Sequence, residues 1–112
     1  MSLAIELHNQ NNISIFELKG RILSDSDLVE PNNLLTALKD WNIIFDLSQL
    51  THTNSSGIAF MVKSMTRARI NNGDVVLVNP NTGLSKLFEI TKMHEVFTIY
   101  ETLETAKNHF KH

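Results

Sequence analysis

Short apolar runs alternate along this chain with polar segments that are rich in asparagine. Two runs, residues 4–8 and 13–18, flank the polar stretch 9–12, and this pattern predicts an antiparallel hairpin. The run Ile43-Ile44-Phe45 is apolar at consecutive positions, which indicates a central strand buried on both faces. Residues 48–55 follow that strand as a predicted loop, and further strands are predicted at 75–78 and near 97–100.

Helical spacing accounts for most of the remaining apolar residues. A short helix is predicted to begin near Pro31, whose fixed φ suits a first helical position. The longest helix covers about 56–70 and ends at Asn71-Asn72-Gly73, and two more are predicted at 84–91 and 103–110. Strands that alternate with helices imply right-handed βαβ crossovers and parallel pairing. The predicted fold is therefore α/β, one domain over residues 1–112, with a mixed sheet of about five strands and about four helices.

Composition narrows the function classes. The chain has 112 residues, a formal net charge of −2 and no cysteine, which excludes disulfide scaffolds and thiol chemistry. Ten Lys and Arg residues against twelve Asp and Glu leave no basic excess for binding nucleic acid. The longest apolar stretches have four or five residues, and the N-terminus lacks the pattern of a signal peptide. We therefore expect a cytoplasmic protein with a protein or small-molecule partner, without contact to nucleic acid or membrane.

Catalytic signatures are missing from the sequence. It contains no phosphate-binding P-loop, no dinucleotide-binding glycine motif, no nucleophile elbow and no zincin motif. The five histidines show no metal-ligand spacing: His8, His52, His94, His109 and His112. The last two, near the C-terminus, are expected on an exposed surface. We therefore expect neither an enzyme nor a cofactor or metal site.

One polar segment, residues 51–57, stands between the buried strand and the longest helix. The first N–H groups of a helix lack partners within the helix, and the helix dipole adds partial positive charge there. A serine hydroxyl at this junction would be well placed to carry a phosphate. The alternative is simple capping, in which Asn54 or Ser55 accepts a hydrogen bond from the first turn and Gly57 permits close packing.

The helix after this segment has two predicted faces. At 100° per residue a core stripe forms on one side, with Ala68 beside it: Ile58, Met61, Val62, Met65 and Arg69. Phe60 falls on the opposite side with Lys63, Ser64 and Arg67, as a candidate partner contact. The alternatives are that Phe60 is a singly exposed apolar residue or is covered by a neighbouring loop.

An ordered series of short motifs resembles the STAS domain, and more narrowly a bacterial anti-sigma factor antagonist. The resemblance covers essentially the whole chain. Its motifs are Phe45-Asp46-Leu47-Ser48, Asn54-Ser55-Ser56-Gly57-Ile58, Ala68-Arg69 with Asn72-Gly73, Val76-Leu77-Val78-Asn79-Pro80, Leu87-Phe88-Glu89-Ile90-Thr91-Lys92-Met93, Val96-Phe97 with Ile99-Tyr100, and Glu104-Thr105-Ala106.

The resemblance implies partner switching. Ser56, or alternatively Ser55, would be phosphorylated, with Thr53, Asn54 and Gly57 supporting the switch loop. Asn54 stands where the family has an acidic residue. Acidic residues of the loop after the hairpin are displaced to Asp25 and Asp27, which we expect to contact the partner. The implied partners are an anti-sigma factor that is also a serine kinase of the histidine-kinase-like ATPase type, and a metal-dependent serine phosphatase.

Two other functions stay open from the sequence. The first is a STAS scaffold subunit of a sensory or lipid-transport complex, in which Ser56 only caps the helix. The second is a small-molecule binding module or enzyme that uses the loop ends of the parallel strands. No convergent acid and base pair supports the second function.

Overall fold

Five strands form one sheet, in which they lie in the same order as along the chain: β1 Leu3–Gln10, β2 Ile13–Arg21, β3 Asn42–His52, β4 Asp74–Val78 and β5 Ile99–Tyr100. A computed structural model describes residues 2–111. His112, which was predicted to be exposed together with His109, lies outside the described residues. β1 and β2 are antiparallel, and β3, β4 and β5 follow in parallel, as predicted.

Helices cover both faces of the sheet. All four predicted helices are present, and a one-turn helix near residue 93 adds a fifth within residues 2–111. A 3-10 turn, Asp25–Leu28, precedes the first. Among the described residues, no helix has both the length and the apolar character needed to cross a membrane. The helices are α1 Val29–Thr36, α2 Ser55–Ile70, α3 Thr82–Ile90, α4 Met93–Val96 and α5 Leu103–Asn108.

Strand β3 is buried on both faces, as its apolar run predicts. Ile43 and Phe45 point into the larger core cluster, to which α1, α2, α3 and α4 contribute. Ile44 points the other way, into a smaller cluster that includes Ala106 of α5. The three side chains are fully buried, because successive residues of a strand point to opposite faces.

The hairpin and the end of α2 depend on asparagine. Asn11 and Asn12 have φ values of 53° and 65°, which a two-residue hairpin turn of type I′ requires. At the end of α2, Asn72 adopts the left-handed conformation with φ 65°. The next position requires a glycine, because a Cβ at Gly73 would collide with the Trp41 carbonyl group. Both predicted turns are therefore confirmed.

Several predicted boundaries are wrong, most clearly those of β3 and α1. Residues 48–52 were expected in a loop, but β3 continues to His52, because β2 also extends and pairs Lys19 with Gln49 and Arg21 with His52. Pro31 is the third residue of α1 rather than the first. It is still tolerated, because no N–H in the first helical turn has an acceptor within the helix.

Candidate functional site

Asn54 caps the N-terminus of α2. Its backbone is extended, its Oδ1 accepts a hydrogen bond from Gly57 N at 3.1 Å, and its carbonyl oxygen accepts the first helical bond from Ile58 N at 3.1 Å. Ser55 and Ser56 are the first two residues of the helix, one position earlier than predicted. The capping that the sequence assigned to Asn54 or Ser55 therefore belongs to Asn54.

The Ser56 hydroxyl is free of this capping role. Ser56 is half-buried, and Ser55 beside it is exposed. Within the described part of the chain, the Ser56 side chain makes no hydrogen bond to another protein group. The first turn of α2 contains no acidic residue, so the partial positive charge of the helix end is not neutralised there.

Thr53 and Gly57 pack tightly behind the two serines. A Cβ at Gly57 would collide with Thr53 Oγ1 and would lie 3.2 Å from Ile22 Cδ1. Thr53 Oγ1 is buried without a hydrogen-bond partner in the described residues. Thr53 therefore lies close to the backbone of Gly57, and the expectation that these two residues support the switch loop stays a prediction.

A groove of about 320 Å³ opens beside Ser56, where the 3-10 turn and α1 lie against α2. Asp25 stands on one wall, and Ser56 and Lys63 stand on the α2 wall. We call this feature the Ser56 groove. Its lining residues are Asp25, Leu28, Asn32, Ser56, Ala59, Phe60 and Lys63. The structure therefore brings four predicted site residues together around one opening: Asp25, Ser56, Phe60 and Lys63.

The prediction that Phe60 lies on the outer face of α2 is wrong. Phe60 is only 4% exposed, and its ring lies 5.6 Å from that of Phe45, between ring centres. Its edge reaches the Ser56 groove, but most of the side chain belongs to the core. The prediction that Ser64 lies on the outer face is also wrong. Ser64 is fully buried, and its Oγ donates a hydrogen bond to the Phe60 carbonyl oxygen at 2.7 Å.

The core face of α2 is displaced by one residue from the predicted stripe. The predicted Ile58 and Val62 are half-buried and Arg69 is exposed, whereas Met61 and Met65 are buried as expected. The true core face could not be recognised from hydrophobicity, because it contains Gly57 and Ser64. Gly57 leaves room for Thr53, and the Ser64 hydroxyl donates its hydrogen bond within the helix. The buried residues are Gly57, Phe60, Met61, Ser64, Met65 and Ala68.

Asp27 and Arg67 do not line the Ser56 groove. The Asp27 carboxylate accepts hydrogen bonds from Leu23 N at 2.9 Å and Ser24 N at 3.2 Å, so it stabilises the 3-10 turn. Arg67 is exposed, and its guanidinium lies 5.4 Å from the ring centre of Trp41, in a cation–π contact. Their predicted contacts with a partner stay predictions.

Sequence reasoning missed three groove residues. Ala59 lies one turn after Ser56, so helical spacing could have identified it. Leu28 and Asn32 come from the preceding elements, and Asn32 Nδ2 donates to the Leu28 carbonyl oxygen at 2.9 Å. Only the packing of the 3-10 turn and α1 beside α2 brings them to Ser56.

Comparison with known proteins identifies the family. The family model described as "STAS domain" matches residues 4–106. The unphosphorylated anti-sigma factor antagonist SpoIIAA is similar in structure, with a TM-score of 0.81, 20% identity and coverage of 95% of each chain.

Two further solved structures share the fold. The anti-sigma factor antagonist of Mycobacterium paratuberculosis has a TM-score of 0.81 and 16% identity, over 96% of this chain and 92% of the other. The phosphorylated form of the Bacillus cell fate determinant SpoIIAA has a TM-score of 0.76 and 18% identity, over 96% of this chain and 100% of the other.

Proposed function

Because the chain belongs to the STAS domain family, we propose that it is an anti-sigma factor antagonist that works by partner switching. In its unphosphorylated form it binds an anti-sigma factor that is also a serine kinase of the histidine-kinase-like ATPase type. Phosphorylation of Ser56 weakens that complex, and a metal-dependent serine phosphatase restores it. In this role the chain is a binding protein and a kinase substrate rather than an enzyme.

The position of the Ser56 hydroxyl carries the proposal. Ser56 is half-buried at the second position of α2, it lines a groove, and Asn54 already caps the helix. A hydroxyl without a structural role at a helix N-terminus is available to a kinase. Ser55 is more exposed but does not line the groove, so it remains the alternative acceptor.

The monomer can tolerate a phosphate at Ser56. A phosphoserine carries about −1.5 to −2 charge at neutral pH. The N–H groups of Ser55 and Ser56 precede the first helical hydrogen bond, which runs from Ile58 N to Asn54 O. These N–H groups and the helix dipole both favour an anion at this end of α2. Phosphorylation therefore need not unfold or move the helix.

A complex that covers the Ser56 groove would tolerate the phosphate poorly. The acidic residue Asp25 lines this groove, so a phosphate on Ser56 adds a second negative charge beside it. Burying that charge in an interface also removes its hydration. Lys63, two turns after Ser56, is the groove cation that an acidic partner group could approach before phosphorylation. Charge in the groove can therefore switch binding without a large conformational change.

Phosphorylation is tested first. The Ser56→Ala protein is used to co-purify the partner kinase, which is then incubated with ATP and each variant before mass spectrometry. We expect one phosphate on wild type and on Ser55→Ala, and none on Ser56→Ala. Phosphate on Ser55 or Thr53 would move the site, whereas no phosphate with a kinase that binds the protein would refute the switch.

Binding is tested second, with a matched control. We expect Ser56→Ala to bind the partner like wild type, and Ser56→Asp to bind at least about tenfold more weakly, equal to about 1.4 kcal/mol. Ser55→Asp puts the same charge on the exposed neighbour outside the groove and should have a smaller effect. Equal affinity of all variants would favour the scaffold subunit instead, because its binding does not depend on Ser56.

A further inference from the structure

The hairpin carries a cluster of charged side chains on the sheet face opposite to α2. Glu6 and His8 alternate along β1, and Glu17 and Lys19 alternate along β2. Their side chains are 29–55% exposed. We call these four residues the hairpin cluster. It is separate from the Ser56 groove, and no sequence spacing suggested it, because the ligand atoms come from two strands.

The strand register places two glutamates directly opposite each other. Glu6 pairs with Glu17 across the antiparallel hairpin, and like charges at such a position repel. The Lys19 ammonium lies 3.5 Å from Glu6 Oε1, and this cation holds the pKa of Glu6 below its usual range. The arrangement concentrates two carboxylates on a rigid strand pair, where a cation is favourable.

The third potential ligand is an imidazole between the carboxylates. His8 Nε2 lies 3.5 Å from Glu6 Oε2 and 3.6 Å from Glu17 Oε2. The three ligand atoms all lie within 4.8 Å of one another. A tetrahedral Zn²⁺ with bonds of about 2.0–2.1 Å separates its ligand atoms by about 3.3–3.4 Å, so the cluster needs only small side-chain adjustments to reach that geometry.

We propose that Glu6, His8 and Glu17 form a Zn²⁺ site with an open fourth position. One imidazole and two carboxylates suit Zn²⁺ better than Mg²⁺ or Ca²⁺, which prefer oxygen ligands alone. Three protein ligands with a free position are the arrangement of zinc sites that keep a water or bind an exogenous group. A groove of about 400 Å³ beside His8 and Glu17, reaching Leu103, leaves room for that ligand.

Lys19 sets the affinity of this site. Its Nζ lies 3.7 Å from Glu17 Oε2, the oxygen that also faces His8. Zn²⁺ therefore has to displace the ammonium from that oxygen, while Lys19 can keep its contact with Glu6 Oε1. Removing the Lys19 charge should strengthen Zn²⁺ binding, an effect that a damaged fold could not produce.

The experiment is a calorimetric titration of the tag-free protein with ZnCl₂. We expect one ion per chain. His8→Gln and Glu17→Gln should each lower the affinity at least about tenfold, since even the loss of a group that only orients a ligand costs about 10–100-fold. Lys19→Met should raise it, and MgCl₂ should give no binding. His52→Gln and His109→Gln are matched controls that should bind Zn²⁺ like wild type.

Three results would overturn the proposal. They are no Zn²⁺ binding at millimolar concentration, unchanged affinity in His8→Gln, or loss of binding in His109→Gln. The last would move the ion to the C-terminal region, where His109 Nε2 lies 3.4 Å from Asp74 Oδ2. Circular dichroism of each metal-free variant checks that these substitutions leave the fold intact.

Discussion

Truncation of Phe60 tests which face of α2 packs on the sheet. Phe60→Ala removes a ring that is 4% exposed and lies against Phe45. If Phe60 instead lay on the outer face, as helical periodicity suggested, its removal would cost little. The free energy of unfolding therefore distinguishes the observed face from the predicted one.

The magnitude follows from the surroundings of the ring. Replacing a buried Phe by Ala costs about 3–5 kcal/mol, because transfer energy is lost and a cavity remains. The edge of Phe60 lines the Ser56 groove, so water and neighbouring side chains can partly fill the space. We therefore expect about 3–4 kcal/mol. At about 4 °C per kcal/mol, the melting temperature falls by about 12 °C or more.

Urea unfolding followed by circular dichroism gives this free energy directly. Two neighbours on the same helix are matched controls. Val62→Ala truncates a half-buried side chain and should cost about 1 kcal/mol, and Lys63→Ala should stay within about 0.5 kcal/mol of wild type. A Phe60→Ala loss no larger than that of Val62→Ala would refute the packing of α2 described above.

Two further predictions concern the cap of α2 and the hairpin cluster. Asn54→Ala should lower the free energy of unfolding by about 1 kcal/mol, because Gly57 N loses its acceptor, while Asn54→Asp should keep the cap; equal stability of all three proteins would contradict this. Lys19→Met should raise the pKa of Glu6, measured by NMR titration of its carboxyl carbon. A carboxyl whose pKa is lower in the folded state than in the unfolded state stabilises the protein at pH values above the unfolded-state pKa. That stabilisation is lost as the pH falls through the folded-state pKa. The part of the acid-induced loss of stability that comes from Glu6 should therefore be smaller in Lys19→Met. An unchanged pKa of Glu6 in this variant would show that Lys19 does not cause the lowered pKa.

Much of the secondary structure could be predicted from the sequence, because it depends on local chemistry. Asn11 and Asn12 tolerate the positive φ values of a hairpin turn, and Asn72 does the same after α2. Asn54 and Asn81 cap two helices through their own side chains. Each of these signals acts within about four residues, so it can be seen without knowing the fold.

The candidate site was only partly predictable. Ser56 and the cap could be located, because both belong to one strand-to-helix junction. The face of α2 could not, because Gly57 and Ser64 count as non-core residues until the packing of Thr53 and the Ser64 hydrogen bond are known. A small side chain is buried here because the neighbouring segment lies so close, and that distance is a tertiary property.

The sequence by itself determined the order of the elements, their caps and turns, and the serine at the head of α2. Only the tertiary structure decided that Asp25 and Lys63 face one groove with Ser56, and that Glu6, His8 and Glu17 meet across the hairpin. The physical reason is the distance along the chain over which each kind of interaction acts. Capping and periodicity act between near neighbours in the chain, whereas groove walls and ligand clusters depend on the register and packing of separate elements.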